Sequence, residues 1–156
     1  MAWILREAEL RYRRSAKIEG ERHVNSSRVV NDVVHDADDE LGCANGIEER
    51  VLAIALDVKN KIIGWHLVGK GGISSCSVEP GAVFRTALAA GAAGVVIVHN
   101  HPSGEPSPSA DDVALTERLR KGGELLGVRV LDHVIVTADR SRYFSFLDGG
   151  LLGPGA

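Results

Sequence analysis

The stretch "VVIVHNHPSGEPSPSADD", Val95 to Asp112, decides how this chain is read. Its first four residues are β-branched and uninterrupted, the pattern of a strand buried on both faces. The run ends in His99, Asn100 and His101. In an extended chain alternate side chains share a face, so both imidazoles point one way and Asn100 the other. Pro102, Pro106 and Pro108 then fix φ at three points of a short excursion, which returns the chain to "SADD" and the start of a helix. Two neutral imidazoles on one side of a strand end make half a site for Zn²⁺, which binds nitrogen at ~2.0–2.1 Å and accepts a carboxylate as well. Asp112, in the first turn of the helix and projecting back toward the histidines, is the best third ligand. "SADD" also fits a capping box, with Ser109 as N-cap and Asp112 three residues on. A chain with six histidines that joins His-x-His, a stiffened loop and an aspartate at the next helix start favours the metal site over a plain cap.

The flanking segments supply the frame. Downstream, Ala110 to Leu126 reads as a helix that Gly122 and Gly123 weaken by about 1 kcal/mol each. "VRVLDHVIVT" is another strand, and "RYFSFLDGGLL" a short final strand with a loose tail. Upstream, "SVEPGAVFRTALAAGAAG" is a helix opened by Pro80 near its first turn and closed by Gly91 or Gly94. "EERVLAIALDVKNKIIGWHLVGKGG" is a hairpin: Val51 to Leu56, a turn at "VKNK", and Ile62 to Val68, ended by Gly69, Gly71 and Gly72. Ser26 or Ser27 can cap a short helix over Val29, Val30, Val33 and Val34. Residues 1–20 are charge-rich with weak helical spacing. Strands and helices mixed in this way predict an α/β sandwich around a mostly antiparallel or mixed sheet.

Composition narrows the function classes. The chain has 156 residues, 44% hydrophobic and 25% charged, which suits one globular domain with a real core. A formal charge of -3 gives nothing global that would draw it to nucleic acid, and the basic cluster "LREAELRYRR" reads as a solvated helix face. No run approaches the ~18 apolar residues of a membrane span, so no membrane partner is expected. Charges interrupt the N-terminus after Leu5, where a signal peptide would continue apolar, so the expected location is cytoplasmic. Cys43 and Cys76 read as free thiols.

A His₂Asp site needs a group that takes a proton from water. Glu48 and Glu49 stand at the entrance to the first buried strand, and Glu105 lies inside the proline loop; spacing does not choose among them. Asp132 and His133 fall mid-strand and read as a hydrogen-bonded core pair, with His133 as a partner behind a ligand the alternative. Asn100 is expected to brace the loop. His23, His35 and His66 have no partner spacing and read as surface or structural residues.

At this point the chain resembles a known family. "HNHPSGEPSPSADD" matches the His-x-His-Pro…Ser-x-x-Asp signature of the JAB/MPN+ (JAMM) metalloproteases in the form of their RadC-like branch. "LAIALDVKNKIIG", "GGISSCSVEPGAVFRTAL", "LTERLRKGGELLGVRVLDHVIV" and "YFSFLDGGLL" are similar to that branch too, so the likeness covers about residues 45 to 152, more weakly from Arg11. It implies a cytidine-deaminase-like JAB/MPN sandwich, a central mixed sheet flanked by helices. It implies that His99, His101 and Asp112 hold zinc and that Ser109 stabilises an oxyanion. It selects Glu49, with Glu48 second, as the glutamate that takes a proton from the zinc water and returns it to the leaving amine. Two departures stand out. Gly81 occupies a position where the branch usually has arginine, and the first 45 residues lack the branch's helix-hairpin-helix region.

These readings set the expectations. Residues 1–44 form a helical extension packed on the domain, 45–152 the RadC-like domain, and 153–156 a tail. The function is a zinc-dependent hydrolase acting on a peptide or isopeptide bond of a protein or peptide substrate. The rival is a non-catalytic or DNA-repair-associated binding module, although the charge balance lends DNA no support. A nuclease is a weaker third, since phosphodiester cleavage often uses two metals and the chain shows ligands for one.

Overall fold

The computed structural model describes residues 22–71 and 78–153. The cluster Leu5 to Arg14, Gly72 and Cys76 lie outside the described residues. Helices α1 (Ser27–Asp36) and α2 (Asp38–Leu41) precede the hairpin of β1 (Arg50–Leu56) and β2 (Ile62–Lys70). Then follow α3 (Pro80–Ala89), β3 (Gly94–Asn100), α4 (Ala110–Leu126), β4 (Arg129–Val136) and β5 (Tyr143–Ser145). The strands form one mixed sheet in the order β2-β1-β3-β4-β5. β3 and β4 are parallel, and the other neighbours antiparallel. A parallel neighbour needs a crossover, and α4 supplies it.

Residues 51–56 of β1 and 95–98 of β3 are apolar without a break because both faces of the sheet are covered. On one face Val51, Ala53, Ala55, Val95 and Ile97 pack with Val83, Phe84 and Ala87 of α3 and Leu115 and Leu119 of α4. On the other Leu52, Ile54, Leu56, Val96 and Val98 meet Val30 and Val34 of α1, Leu41 and Cys43. The Cys43 thiol is fully buried, and burial pushes its pKa up to about 12, so it stays neutral. The hairpin turn is set by Asp57, whose Oδ1 accepts from the amides of Lys59 and Lys61 at 2.8 and 2.9 Å.

Two expectations need correction. Ser26 stands at the N-cap of α1 without a side-chain cap bond, while the Ser27 hydroxyl reaches across to Asp148 at 2.5 Å. The end of the chain is not loose throughout: Leu152 is buried against Phe146, and the amides of Leu151 and Leu152 both donate to the Phe146 carbonyl. The Asp132–His133 pair is buried and hydrogen-bonded as expected, the His133 amide donating to Asp132 Oδ1 at 2.7 Å, while alternation turns the two side chains to opposite faces of β4 and separate partners. A bulge precedes the pair, where the β3–β4 register jumps from Val95↔Val130 to Val96↔Asp132. The glycines that weaken α4 also have a reason. A Cβ at Gly123 would stand 2.4 Å from the Val128 carbonyl oxygen, so only glycine lets the helix end and the start of β4 approach this closely.

Candidate metal centre

The proline loop does what its sequence promised. It leaves β3 at Asn100 and re-enters at the N-terminus of α4, where Ser109 caps the helix. The capping box is complete: Ser109 Oγ accepts from the Asp112 amide at 3.1 Å, and Asp112 Oδ2 accepts from the Ser109 amide at 2.7 Å. The cap and the metal readings of "SADD" therefore hold together. With one edge of its carboxylate fixed by the cap, Asp112 turns Oδ1 to 3.2 Å from His99 Nε2, and its Oδ2 lies 3.5 Å from His101 Nε2. The two Nε2 atoms are 2.9 Å apart.

His99, His101 and Asp112 each offer one ligand atom, all within 4.8 Å of one another. Four-coordinate zinc with bonds near 2.1 Å would hold neighbouring ligand atoms roughly 3.4 Å apart, so these separations match a tetrahedral edge. The donor chemistry points the same way. His101 Nδ1 donates to the Glu105 carbonyl at 2.7 Å, which can only accept, so a neutral His101 turns an unprotonated Nε2 inward. Two ring nitrogens at hydrogen-bond distance beside a buried carboxylate need a proton or a cation between them. His99, His101 and Asp112 can hold a metal ion.

The electrostatics without a metal show the same demand. The hydrogen bond to Asp112 raises the His101 pKa against the opposing effect of burial, helped by the Glu105 carbonyl and by the charges of Asp112 and Glu49. Burial alone would raise Asp112, but the two imidazoles beside it, His101 before His99, outweigh that and hold the carboxyl well below the usual carboxylate range. His133 lies behind His99, with its Nε2 2.7 Å from His99 Nδ1. Burial, the largest cause, pushes the His133 pKa well below the ordinary value, so the ring is neutral.

The surrounding candidates separate. Glu48 is exposed and pairs with Lys70 at 2.9 Å. The Glu105 carboxylate is exposed as well, bonded to Ser107 at 2.8 Å and to Arg142 at 3.3 Å. Glu49 is half-buried, and its charge reaches His101. Ser109 is exposed, and because its oxygen accepts the cap bond, its hydroxyl hydrogen remains to be given. Asn100 does not brace the proline loop. On the far face of β3, fully buried, it holds the main chain before β1: Oδ1 accepts from the Arg50 amide at 2.7 Å, and Nδ2 donates to the Gly46 and Glu48 carbonyls at 3.2 and 3.1 Å. His23 and His66 are exposed, and His35 is half-buried with an unpartnered Nε2. A Cβ at Gly81 would meet nothing within 4 Å, so close packing is not what keeps a side chain away from this position. Thr116, which the sequence reading passed over, sits one turn after Asp112 with its hydroxyl 2.6 Å from His133 Nδ1. Its signal was the four-residue spacing from Asp112 on one helix face.

The chain is also similar to known proteins. A family model described as the RadC-like JAB domain matches residues 24–151. A UPF0758 protein of Thermotoga maritima is 49% identical over 104 residues, 67% of this chain and 46% of its own length. UPF0758 proteins of Methanosarcina barkeri and Pelobacter propionicus are 42% identical over 105 residues and 44% identical over 104. The chain spans under half the length of these curated relatives, 46%, 45% and 44% respectively.

Proposed function

The chain belongs to the RadC-like JAB domain family, and from that premise we propose that it is a zinc-dependent hydrolase of the JAMM type, cleaving a peptide or isopeptide bond. The observation that carries this reading is the convergence of two imidazole nitrogens and one carboxylate, 2.9, 3.2 and 3.5 Å apart, at the end of a buried strand. A His₂Asp donor set suits zinc and leaves a fourth position open. When bound there, zinc supplies a Lewis acid and lowers the pKa of water to roughly 7.

The chain's own groups do the rest. Glu49 is the general base: it takes the proton of the attacking water and passes it to the leaving amine. Support for Glu49 over Glu48 comes from the sheet. Val51 pairs with His99 and Leu52 with Val98, and the same register carried past the start of β1 brings Glu49 level with His101 on the ligand face. Glu48 then falls on the other parity and is engaged by Lys70. Ser109 donates its remaining hydrogen to the carbonyl oxygen as it gains charge.

Metal analysis and an assay against a mixture of fluorogenic peptide amides and isopeptide conjugates test the proposal. The purified protein is expected to carry about one zinc per chain, as a single three-ligand set implies. His101→Ala should lose the zinc. Glu49→Gln should keep it and lower turnover at least ~100-fold, the usual worth of a general base. Full zinc in His101→Ala, or undiminished turnover in Glu49→Gln, would overturn the assignment.

A further inference from the structure

Thr116 and His133 touch no site opening, yet they join the two ligand-bearing elements. Thr116 is 3% exposed and His133 fully buried. The Thr116 hydroxyl lies 2.7 Å from the Asp112 carbonyl oxygen and 2.6 Å from His133 Nδ1, and His133 Nε2 lies 2.7 Å from His99 Nδ1. Three contacts share two ring protons and one hydroxyl proton, so few arrangements are open. A carbonyl only accepts, so the hydroxyl hydrogen satisfies that contact only by pointing to Asp112. Thr116 Oγ must then accept from His133 Nδ1–H, His133 Nε2 is left as an acceptor, and His99 Nδ1–H fills it. Turning the hydroxyl toward His133 instead would leave two oxygens facing each other at 2.7 Å with no hydrogen between them. A doubly protonated His133 would be a buried charge beside Thr116 and His99, with no carboxylate among the hydrogen-bond partners of its ring, which is costly.

We infer that Thr116 and His133 are positioning residues: a proton relay from His99 through His133 and Thr116 to the Asp112 carbonyl locks His99 with its proton on Nδ1. The lock leaves the His99 Nε2 lone pair aimed at the centre before any ion enters. His101 is set the same way by a different device, the Glu105 carbonyl. Because the relay ends on the main chain of Asp112, it also ties the first turn of α4 to the strand that carries the histidines. This inference rests on the metal reading above, and its test separates the two.

Long-range ¹H–¹⁵N correlation spectra of the imidazole rings report the tautomers directly, with and without zinc, and chelator competition reports zinc affinity. In the wild type His99 and His133 should both show the Nδ1–H pattern in both states. Thr116→Ser keeps the hydroxyl and should match the wild type in tautomer and affinity. Thr116→Val keeps the shape without the hydroxyl; it should lose the fixed His133 tautomer and bind zinc about 10–100-fold more weakly. An Nε2–H pattern on metal-free His99, or Thr116→Val with unchanged tautomers and affinity, overturns the relay. A wild type that takes up no zinc overturns the metal reading instead, and the metal-free tautomers then decide the relay alone.

Discussion

Asp132 shows how a single buried group can be read through pH. Its Oδ2 accepts from Ser145 Oγ at 2.6 Å, and its Oδ1 accepts from the amides of His133 and Leu147 at 2.7 and 3.0 Å. Burial pushes its carboxyl above the usual value, and those three bonds only partly offset it. The folded state therefore keeps a proton at pH values where the unfolded chain, with an aspartate pKa of about 3.9, has lost it. The contribution of Asp132 to stability falls as pH rises from the unfolded to the folded value, and stays at the lower plateau above. Asp132→Asn keeps an acceptor for both amides, and the Ser145 hydroxyl can turn to accept from its new NH₂. Urea unfolding of both proteins from pH 4 to 8 is expected to show the variant gaining on the wild type as pH rises. A difference that shrinks with rising pH would contradict this account. Sequence alternation did not reveal these partners, because the bulge that skips Leu131 depends on strand register, which no local pattern carries. Asp112, by contrast, was legible twice over. Cap and ligand use different parts of one carboxylate, so both readings of "SADD" survive.

At the scale of elements, the candidate centre depends on how the start of β1 is held against the end of β3. Backbone pairing runs out there, and the Asn100 side chain takes over, bonding Arg50, Gly46 and Glu48. Asn100 shares no face with His99 and His101, so its loss should leave the ligands in place. Asn100→Ala strips three main-chain groups of their partner. Unsatisfied polar groups cost ~1–3 kcal/mol each, and some will regain water, so a loss of about 2–4 kcal/mol is expected. Amide exchange should quicken at Arg50 while zinc content stays at the wild-type level. Slow exchange at Arg50 in the variant would show that the side chain is not the clamp. Alternation along β3 puts Asn100 on the correct face, but the expected target, the proline loop, was the wrong one. The path of residues 42–49 follows from Asp38, whose carboxylate accepts from the amides of Cys43, Ala44 and Asn45, and nothing in the spacing announces that turn.

For the whole molecule, the proposed ion acts as a cross-link. Its ligands come from the end of β3, a strand inside the sheet, and the start of α4, the helix that packs on one face of it, so the ion joins two layers that the chain connects through the proline loop. An ion that binds only the folded arrangement stabilises it by RT ln(1 + [L]/Kd), about 2.7 kcal/mol when free zinc is 100-fold above Kd. For a chain of this size 1 kcal/mol moves Tm by roughly 2–4 °C, so the rise should be about 5–10 °C. Weak zinc binding to histidines and thiols of the unfolded chain would trim that figure. Melting in zinc-buffered solution should give a Tm that climbs with the logarithm of free zinc, returns to its starting value with a chelator, and does not respond in His101→Ala. The relay sharpens the expectation: Thr116→Val should need 10–100-fold more free zinc for the same rise, because the ligand is no longer held in the binding tautomer. A wild-type Tm indifferent to zinc would mean that this converging set of lone pairs is satisfied by protons alone, and the hydrolase proposal would lose its physical basis.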